Sequence, residues 1–275
     1  MTSLKTEEPA GEGEHAPAAV LASIRRTRPL VHNITNAVVM NTTANGLLAV
    51  GASPIMAHAP EEVAEIVAIA SALVINIGTI TRDQARAMEI AAAAAQARGL
   101  PWVLDPVGVG ATALRRDTAV MLLGYGPSVI RGNASEIATL AGDPPAGRGV
   151  DAAAGHALAG HDAARRLARA SGSVVAVTGV VDLVTDGVRE ARVHNGHAMM
   201  AKVTGTGCLA SALVGAALGC GAPPFEAALA TLVFYGLAGE KAAAGEAGPG
   251  TMQVRMFDVL AALTPGDVAD GQRLS

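Results

Sequence analysis

The sequence predicts a three-layer α/β/α protein whose sheet is mostly parallel, with an antiparallel hairpin at one edge. Three observations carry this reading. Short apolar runs of strand length recur along the first two-thirds of the chain, segments long enough for a helix separate them, and after Thr178 the alternation gives way to two runs around a tight turn. Runs that are apolar throughout suit strands buried on both faces, and parallel neighbours require connections of helical length.

The elements follow in order. Residues 1–17 are polar, carry Glu7, Glu8, Glu12 and Glu14 and contain no apolar stretch of signal-peptide type, so they read as a disordered tail ahead of a single domain over 18–275. Strands are expected at 29–34, 53–58, 72–78, 102–107, 128–131 and 174–178. Asn36 is placed to cap a helix over 37–50 that stops at Gly51, and Pro60 with Glu61 and Glu62 opens one through Ala70. Thr81 caps an alanine-rich helix over 82–98 closed by Gly99, and Asp151 precedes another ending near Ala170. Residues 182–186 and 188–194 form the hairpin around Gly187. Long helices over 208–218 and 224–244 and a last segment over 252–263 complete the core.

Composition removes several function classes. Only 16% of the 275 residues are charged, the net charge is −4, and one Trp, two Tyr and three Phe are the whole aromatic complement. No basic footprint attracts a nucleic-acid backbone, and too few rings exist for a base-stacking platform. The mean hydropathy of +0.37 raises the question of a membrane span at 203–225, which lacks charge. Five glycines and a terminal Pro223-Pro224 there fit a buried helix better, since a span needs about twenty predominantly apolar residues. Cys208 and Cys220 have no metal-ligand company, so a cytoplasmic protein with reduced thiols is expected.

Four stretches bear chemistry. Lys202-Val203-Thr204-Gly205-Thr206-Gly207-Cys208 precedes an apolar helix, and glycines there let backbone N–H groups converge at the positive end of the helix dipole. It is an anion-hole candidate or a tight turn, and neither a Walker loop nor a dinucleotide fingerprint. Cys208 taken alone reads as a buried small residue. Arg131-Gly132-Asn133-Ala134-Ser135-Glu136 ends a strand and enters a helix; Arg131 suits phosphate oxygens, and Asn133 with Glu136 suits either a hydrated Mg²⁺ or a capping box. Asp105 ends another buried strand, where a carboxylate needs a turn donor or a cation. Between Pro29 and Pro60, Asn33, Asn36, Asn41 and Asn45 supply polarity without charge for a neutral ligand or another subunit, and His32 reads as structural.

Taken jointly, these stretches resemble the hydroxyethylthiazole kinases, thiamine-salvage enzymes of the ribokinase-like fold. The matching text is Val31-His32-Asn33-Ile34-Thr35-Asn36, Gly51-Ala52-Ser53-Pro54-Ile55-Met56-Ala57, Asn76-Ile77-Gly78-Thr79, Asp105-Pro106-Val107-Gly108-Val109-Gly110, Arg131 to Glu136 and Val203 to Cys208. The resemblance implies transfer of the γ-phosphoryl group of ATP to the alcohol of 4-methyl-5-(2-hydroxyethyl)thiazole. It implies that Met56, Gly205 and Asn33 meet that substrate, that Arg131, Thr178, Thr206 and Gly207 meet ATP, and that Asp105 and Glu136 serve Mg²⁺. A homotrimer with pockets between subunits is implied as well.

The wider superfamily carries an aspartate base where this chain has Cys208, which the thiazole kinases often share, so Cys208 is expected to act as a modest base. Phosphoryl transfer leans on positioning and charge neutralisation, which tolerates a weak base. The rivals are a hydroxymethylpyrimidine- or pyridoxal-type kinase, a nucleotide-dependent dehydratase on the same architecture, and a non-enzymatic sensor of thiazole or nucleotide.

Overall fold

A computed structural model describes residues 16–144, 153–245 and 248–275. Eight strands form one sheet in the order β2-β1-β3-β4-β5-β6-β7-β8. The first six, β1 (Leu30–Ile34), β2 (Ser53–Ile55), β3 (Ala72–Asn76), β4 (Trp102–Asp105), β5 (Val129–Asn133) and β6 (Val174–Thr178), are parallel. The hairpin β7 (Asp182–Thr185) and β8 (Glu190–Val193) closes one edge antiparallel, as the change of pattern after Thr178 predicts.

The strands are apolar on successive residues because both faces are covered. In β3, Ala72 and Val74 join the core beneath α1 (Pro17–Thr27), α2 (Met40–Val50), α8 (Thr206–Gly219), α9 (Pro224–Ala243) and α10 (Pro249–Ala262). Leu73 and Ile75 join the opposite core, under α3 (Val63–Ile69), α4 (Arg82–Arg98), α5 (Ala113–Leu123), α6 (Ala134–Leu140) and α7 (Ala153–Ser171). This two-sided burial is what continuous apolar strands require. Small residues set the close spacing of the layers. A Cβ on Gly215 of α8 would collide with Val74, and one on Gly219 would lie 2.9 Å from Pro29 Cβ, so α8 rests almost directly on the sheet. The glycines and alanines that raised the membrane question are therefore packing residues, and among the described residues no helix is long and apolar enough to cross a membrane.

Local chemistry explains most boundaries. Thr81 accepts from the N–H of Gln84, whose side chain accepts from the Thr81 N–H, and Gly99 closes α4 at φ 66°. Several expected boundaries shift. The second, third and fourth expected strands end at Ile55, Asn76 and Asp105, because the following Met56, Ile77 and Pro106 leave the ladder and turn into the loops that carry the site. α2 starts at Met40 with Val39 at its cap, and Asn36 does not cap it: the Asn36 amide nitrogen turns inward to other side chains. α3 starts only at Val63. α8 starts at Thr206, two residues early, because Gly205 takes the left-handed conformation and opens the helix itself. Pro17, read as part of the tail, is the buried first residue of α1; the rest of that tail up to residue 15, and Asp151, lie outside the described residues. After the last expected segment a further helix, α11 (Pro265–Gly271), leads to an antiparallel bridge between Leu274 and Val193.

Candidate active site

The strand order reverses between β1 and β3, and open parallel sheets bind ligands beyond the carboxyl ends of their strands at such a point. Here those ends carry amides and one acid. Asn36, just past β1, donates its amide to Asn76 Oδ1 at 3.0 Å, and Asn76, the last residue of β3, donates to Asp105 Oδ2 at 2.7 Å. Ser211 of α8 donates to the same oxygen at 2.8 Å. Asn36 also donates to Cys208 Sγ at 3.4 Å, so a buried polar chain joins Asp105 to the first turn of α8. Asp105 is fully buried and its Oδ1 has no partner. Burial outweighs the Arg131 charge 3.9 Å away and the two hydrogen bonds, and pushes its carboxyl up to about 6.

The opening of α8 is built for negative charge. Gly205 sits at φ 86°, and the first-turn N–H groups of Thr206, Gly207 and Cys208 lack partners four residues back. Arg131 lies directly over this turn: a Cβ on Gly207 would stand 2.5 Å from its Nη1 and 2.8 Å from its Nη2. Gly207 is thus a close-approach glycine, bringing a guanidinium and a helix N-terminus to one point. Arg131 also donates to Thr178 Oγ1 at the end of β6. Arg131, Thr178, Thr206 and Gly207 share the wall of a cleft of ≈ 610 Å³. The Thr206 hydroxyl is spent on the carbonyls of Met200 and Val203, which leaves its N–H to face the cleft. Tyr235 of α9, fully buried, donates to the Thr206 carbonyl at 3.0 Å and anchors the turn from behind.

The remaining expected site residues are placed less directly. Asn133 and Glu136 form the reciprocal capping box of α6, and Glu136 Oε1 accepts a third bond from the Gly108 N–H at 2.9 Å. Asn33 is buried, with its amide turned back to the Val31 carbonyl and its Oδ1 unpartnered. Met56 is half-buried beyond β2 and, like Asn33, does not line the cleft. His32 is buried with Nε2 2.8 Å from the Ala57 carbonyl; burial holds its imidazole below the usual range, which fits the structural role expected of it. Burial also pushes the Cys208 thiol up, and the Asp105 charge adds to this.

Three neighbours escaped the sequence. Ser211 is a lone hydroxyl three residues after Cys208 in an apolar helix, a spacing that shares one face and could have been noticed. Asp182 lines the cleft, accepts from the Gly179 N–H at 2.8 Å, and is pushed up to about 6 by burial. Tyr235 carries no sequence signal beyond its isolation among apolar residues.

A mostly parallel sheet flanked by two helical layers, with a glycine-opened helix and an arginine meeting over a cleft, defines the ribokinase-like class of small-molecule kinases. Pyridoxal kinase from Staphylococcus aureus, solved with AMP-PCP and pyridoxal, shares that fold at TM-score 0.57 and 16% identity over 75% of this chain and 86% of its own. Within the class the chain belongs to the hydroxyethylthiazole kinase family, whose model matches residues 21–266. It is 55% identical to a hydroxyethylthiazole kinase of Cereibacter sphaeroides over 93% of this chain and 97% of that protein. A Pyrococcus furiosus relative of the same name is 48% identical over 90% and 93%. The solved structure of the Pyrococcus horikoshii hydroxyethylthiazole kinase superposes at TM-score 0.87 with 42% identity, over 94% of this chain and 98% of that one.

Proposed function

We propose that the chain phosphorylates the hydroxyl of 4-methyl-5-(2-hydroxyethyl)thiazole with ATP, as a step of thiamine salvage. The observation that carries this reading is the seating of the Arg131 guanidinium on Gly207, over the opening of α8 and inside the cleft. In this reading Arg131 and Thr178 hold ATP phosphate oxygens, and the N–H groups from Thr206 to Cys208 receive the charge of the transferring group. The bond between the substrate oxygen and the γ-phosphorus forms as the β–γ bridge breaks, ADP leaves, and the hydroxyl proton passes to Cys208 or to water. Positioning and fixed dipoles carry most of such a barrier.

Mg²⁺ fits this site through water. Asp105 Oδ1 is buried without a partner, whereas both Glu136 oxygens already accept backbone N–H groups, and among the described residues no cluster of three His, Cys, Asp or Glu side chains could hold a metal. Asp105 and Glu136 would then hold the hydrated ion, which supplies charge neutralisation at the phosphates. A homotrimer with pockets between subunits accounts for Met56 and Asn33 lying away from the cleft of one chain. It also gives a partner to the uncharged exposed face of α2, where Asn41, Asn45 and Leu48 line up at helical spacing, and to the exposed Val38 in the turn before it.

Coupled detection of ADP tests the reading: release with the thiazole alcohol, exceeding that with hydroxymethylpyrimidine and pyridoxal, is expected. ADP release that needs no alcohol, or that prefers pyridoxal, overturns it. The role of Cys208 has its own test. A thiol pushed above its ordinary range is a sparse base at neutral pH, so kcat is expected to climb with pH through the alkaline range. Cys208→Ala is expected to lower kcat by about 10²-fold, the low end of general-base help, without weakening nucleotide binding. Cys208→Asp is expected to keep or raise kcat and to flatten the alkaline rise. Complete loss of activity in Cys208→Asp removes the base assignment.

A further inference from the structure

One face of α9 carries a second set of contacts that the reaction as described leaves unused. Tyr235, Gly236, Gly239 and Glu240 share that face, and each meets a different part of the cleft wall. Tyr235 holds the Thr206 carbonyl, a Cβ on Gly236 would stand 2.7 Å from the backbone of Asn195, and one on Gly239 would collide with Met200. Glu240 is the polar member. Its Oε1 accepts from the Gly196 N–H at 2.7 Å and from the Asn195 amide at 3.2 Å, and Asn195 and Gly196 both line the cleft.

Glu240 is itself gripped. Arg273 donates to Glu240 Oε2 through Nη1 at 3.0 Å and to Oε1 through Nη2 at 2.6 Å, a two-pronged ion pair. The same residue donates its backbone N–H to Asn195 Oδ1 at 2.8 Å and its Nη2 to the His194 carbonyl at 2.8 Å. Segment 273–275 is fastened to β8, since Arg192 and Ser275 exchange backbone hydrogen bonds of 2.8 and 3.1 Å. The Arg273 side chain is 51% exposed, and exposed ion pairs contribute little to global stability. Its contacts nevertheless converge on His194 and Asn195, and the Glu240 that it grips holds Gly196. Gly196 at φ 136° is free to move unless held.

We propose that Arg273 and Glu240 are positioning residues for the nucleotide: they clamp the 194–196 segment against α9 and so fix the cleft wall opposite Arg131. This inference rests on the reading of the cleft as the ATP site. It separates the two substrates, because the clamp touches neither the Asn36–Asn76–Asp105 chain nor Cys208.

The test uses the full chain and AMP-PCP, a non-transferring ATP analogue, in titration calorimetry beside steady-state kinetics. Arg273→Ala is expected to weaken AMP-PCP binding and raise KM for ATP together, by about tenfold, the scale on which ordering one wall segment acts. KM for the thiazole alcohol and kcat are expected to stay within about twofold. Arg273→Lys, which keeps the charge without the fork, is expected to recover part of the affinity, and Glu240→Gln to fall between. A fall in kcat, in thiazole affinity and in melting temperature alongside the nucleotide effect overturns the proposal in favour of a general structural role. Arg131→Met separates the two readings: sensitivity of AMP-PCP binding to Arg131→Met alone overturns the clamp and leaves the cleft reading standing, whereas insensitivity to both substitutions overturns both.

Discussion

Gly205→Val is expected to lower kcat/KM by about 10³-fold or more while the protein still folds, a loss on the scale of removing a preorganised donor from an oxyanion hole and displacing its neighbours. Two independent constraints meet at this residue. Its φ of 86° is open to glycine and strained for a β-branched side chain. A Cβ there would also stand 2.6 Å from Val39 Cγ1, and Val39 is buried at the start of α2 with little room to retreat. Relief on either count rotates the peptide that aims the following N–H groups, so the first turn of α8 loses its convergence. Gly207→Ala should be milder, because the colliding atom is the far end of the Arg131 side chain, which can swing away at the expense of phosphate binding. Steady-state kinetics with a thermal melt as folding control decide the matter. Near-normal kcat/KM in a folded Gly205→Val variant removes the anion hole from this turn.

Much of this is legible in the sequence, for identifiable reasons. The strand at Val174–Thr178 has the bounds that its sequence predicts, since a β-branched run between polar boundaries admits few alternatives. Thr81 and Gly99 mark α4 because capping and left-handed termination are local events. The hairpin was legible for the same reason. What stayed hidden depends on contacts between distant segments. Nothing near Asn36 indicates that its amide serves Asn76 and Cys208 and does not open a helix, because the choice is made by side chains on β3 and α8. Arg131 and Gly207 were both singled out, each for phosphate, yet their mutual contact exists only once β5 and α8 are assembled. The clamp on α9 is invisible in sequence, since Glu240 and Arg273 read as ordinary surface charges.

In the Asn133–Glu136 pair the capping-box reading is what the structure shows, and it leaves room for the proposed metal role. It is a capping box in which Oε2 accepts from Asn133 and Oε1 from Gly108 in the loop after β4, and each carboxylate oxygen keeps spare acceptor capacity. Structural duty and a water-mediated metal role are therefore compatible, whereas direct ligation would compete with bonds that open the helix. The same economy recurs at Thr206, whose hydroxyl braces the preceding turn and so does not compete with its backbone N–H in the proposed anion hole.

Asp105→Asn is the second large expected effect, and at high pH it acts on activity and stability in opposite senses. Asp105 has its folded carboxyl raised from 3.8 to about 6. A raised acid contributes fully to stability below pH 3.8, and the contribution is lost as pH rises through about 6, so at pH 8 the buried charge costs about 3 kcal/mol. Asparagine removes that cost at high pH. Its carbonyl keeps the bonds from Asn76 and Ser211, but its amide then occupies the place of Oδ1, which has no partner, at a penalty of about 1–3 kcal/mol independent of pH. The two terms predict a crossing: the variant is less stable than the native protein at pH 4, where the native carboxyl has lost little of its contribution, and equal to it or more stable at pH 8. Asp182, also raised to about 6, titrates in both proteins and cancels from the difference. Activity is expected to fall by about 10²-fold or more above pH 6, where native Asp105 is ionised, and by less below it, since the site loses the one charge at the end of its buried amide chain. Denaturant unfolding at the two pH values, with ADP release on the same samples, measures both. Parallel stability curves for variant and native protein would show that Asp105 titrates in the folded protein as it does in the unfolded chain and carries no burial penalty, and retained turnover would show that its charge is not used.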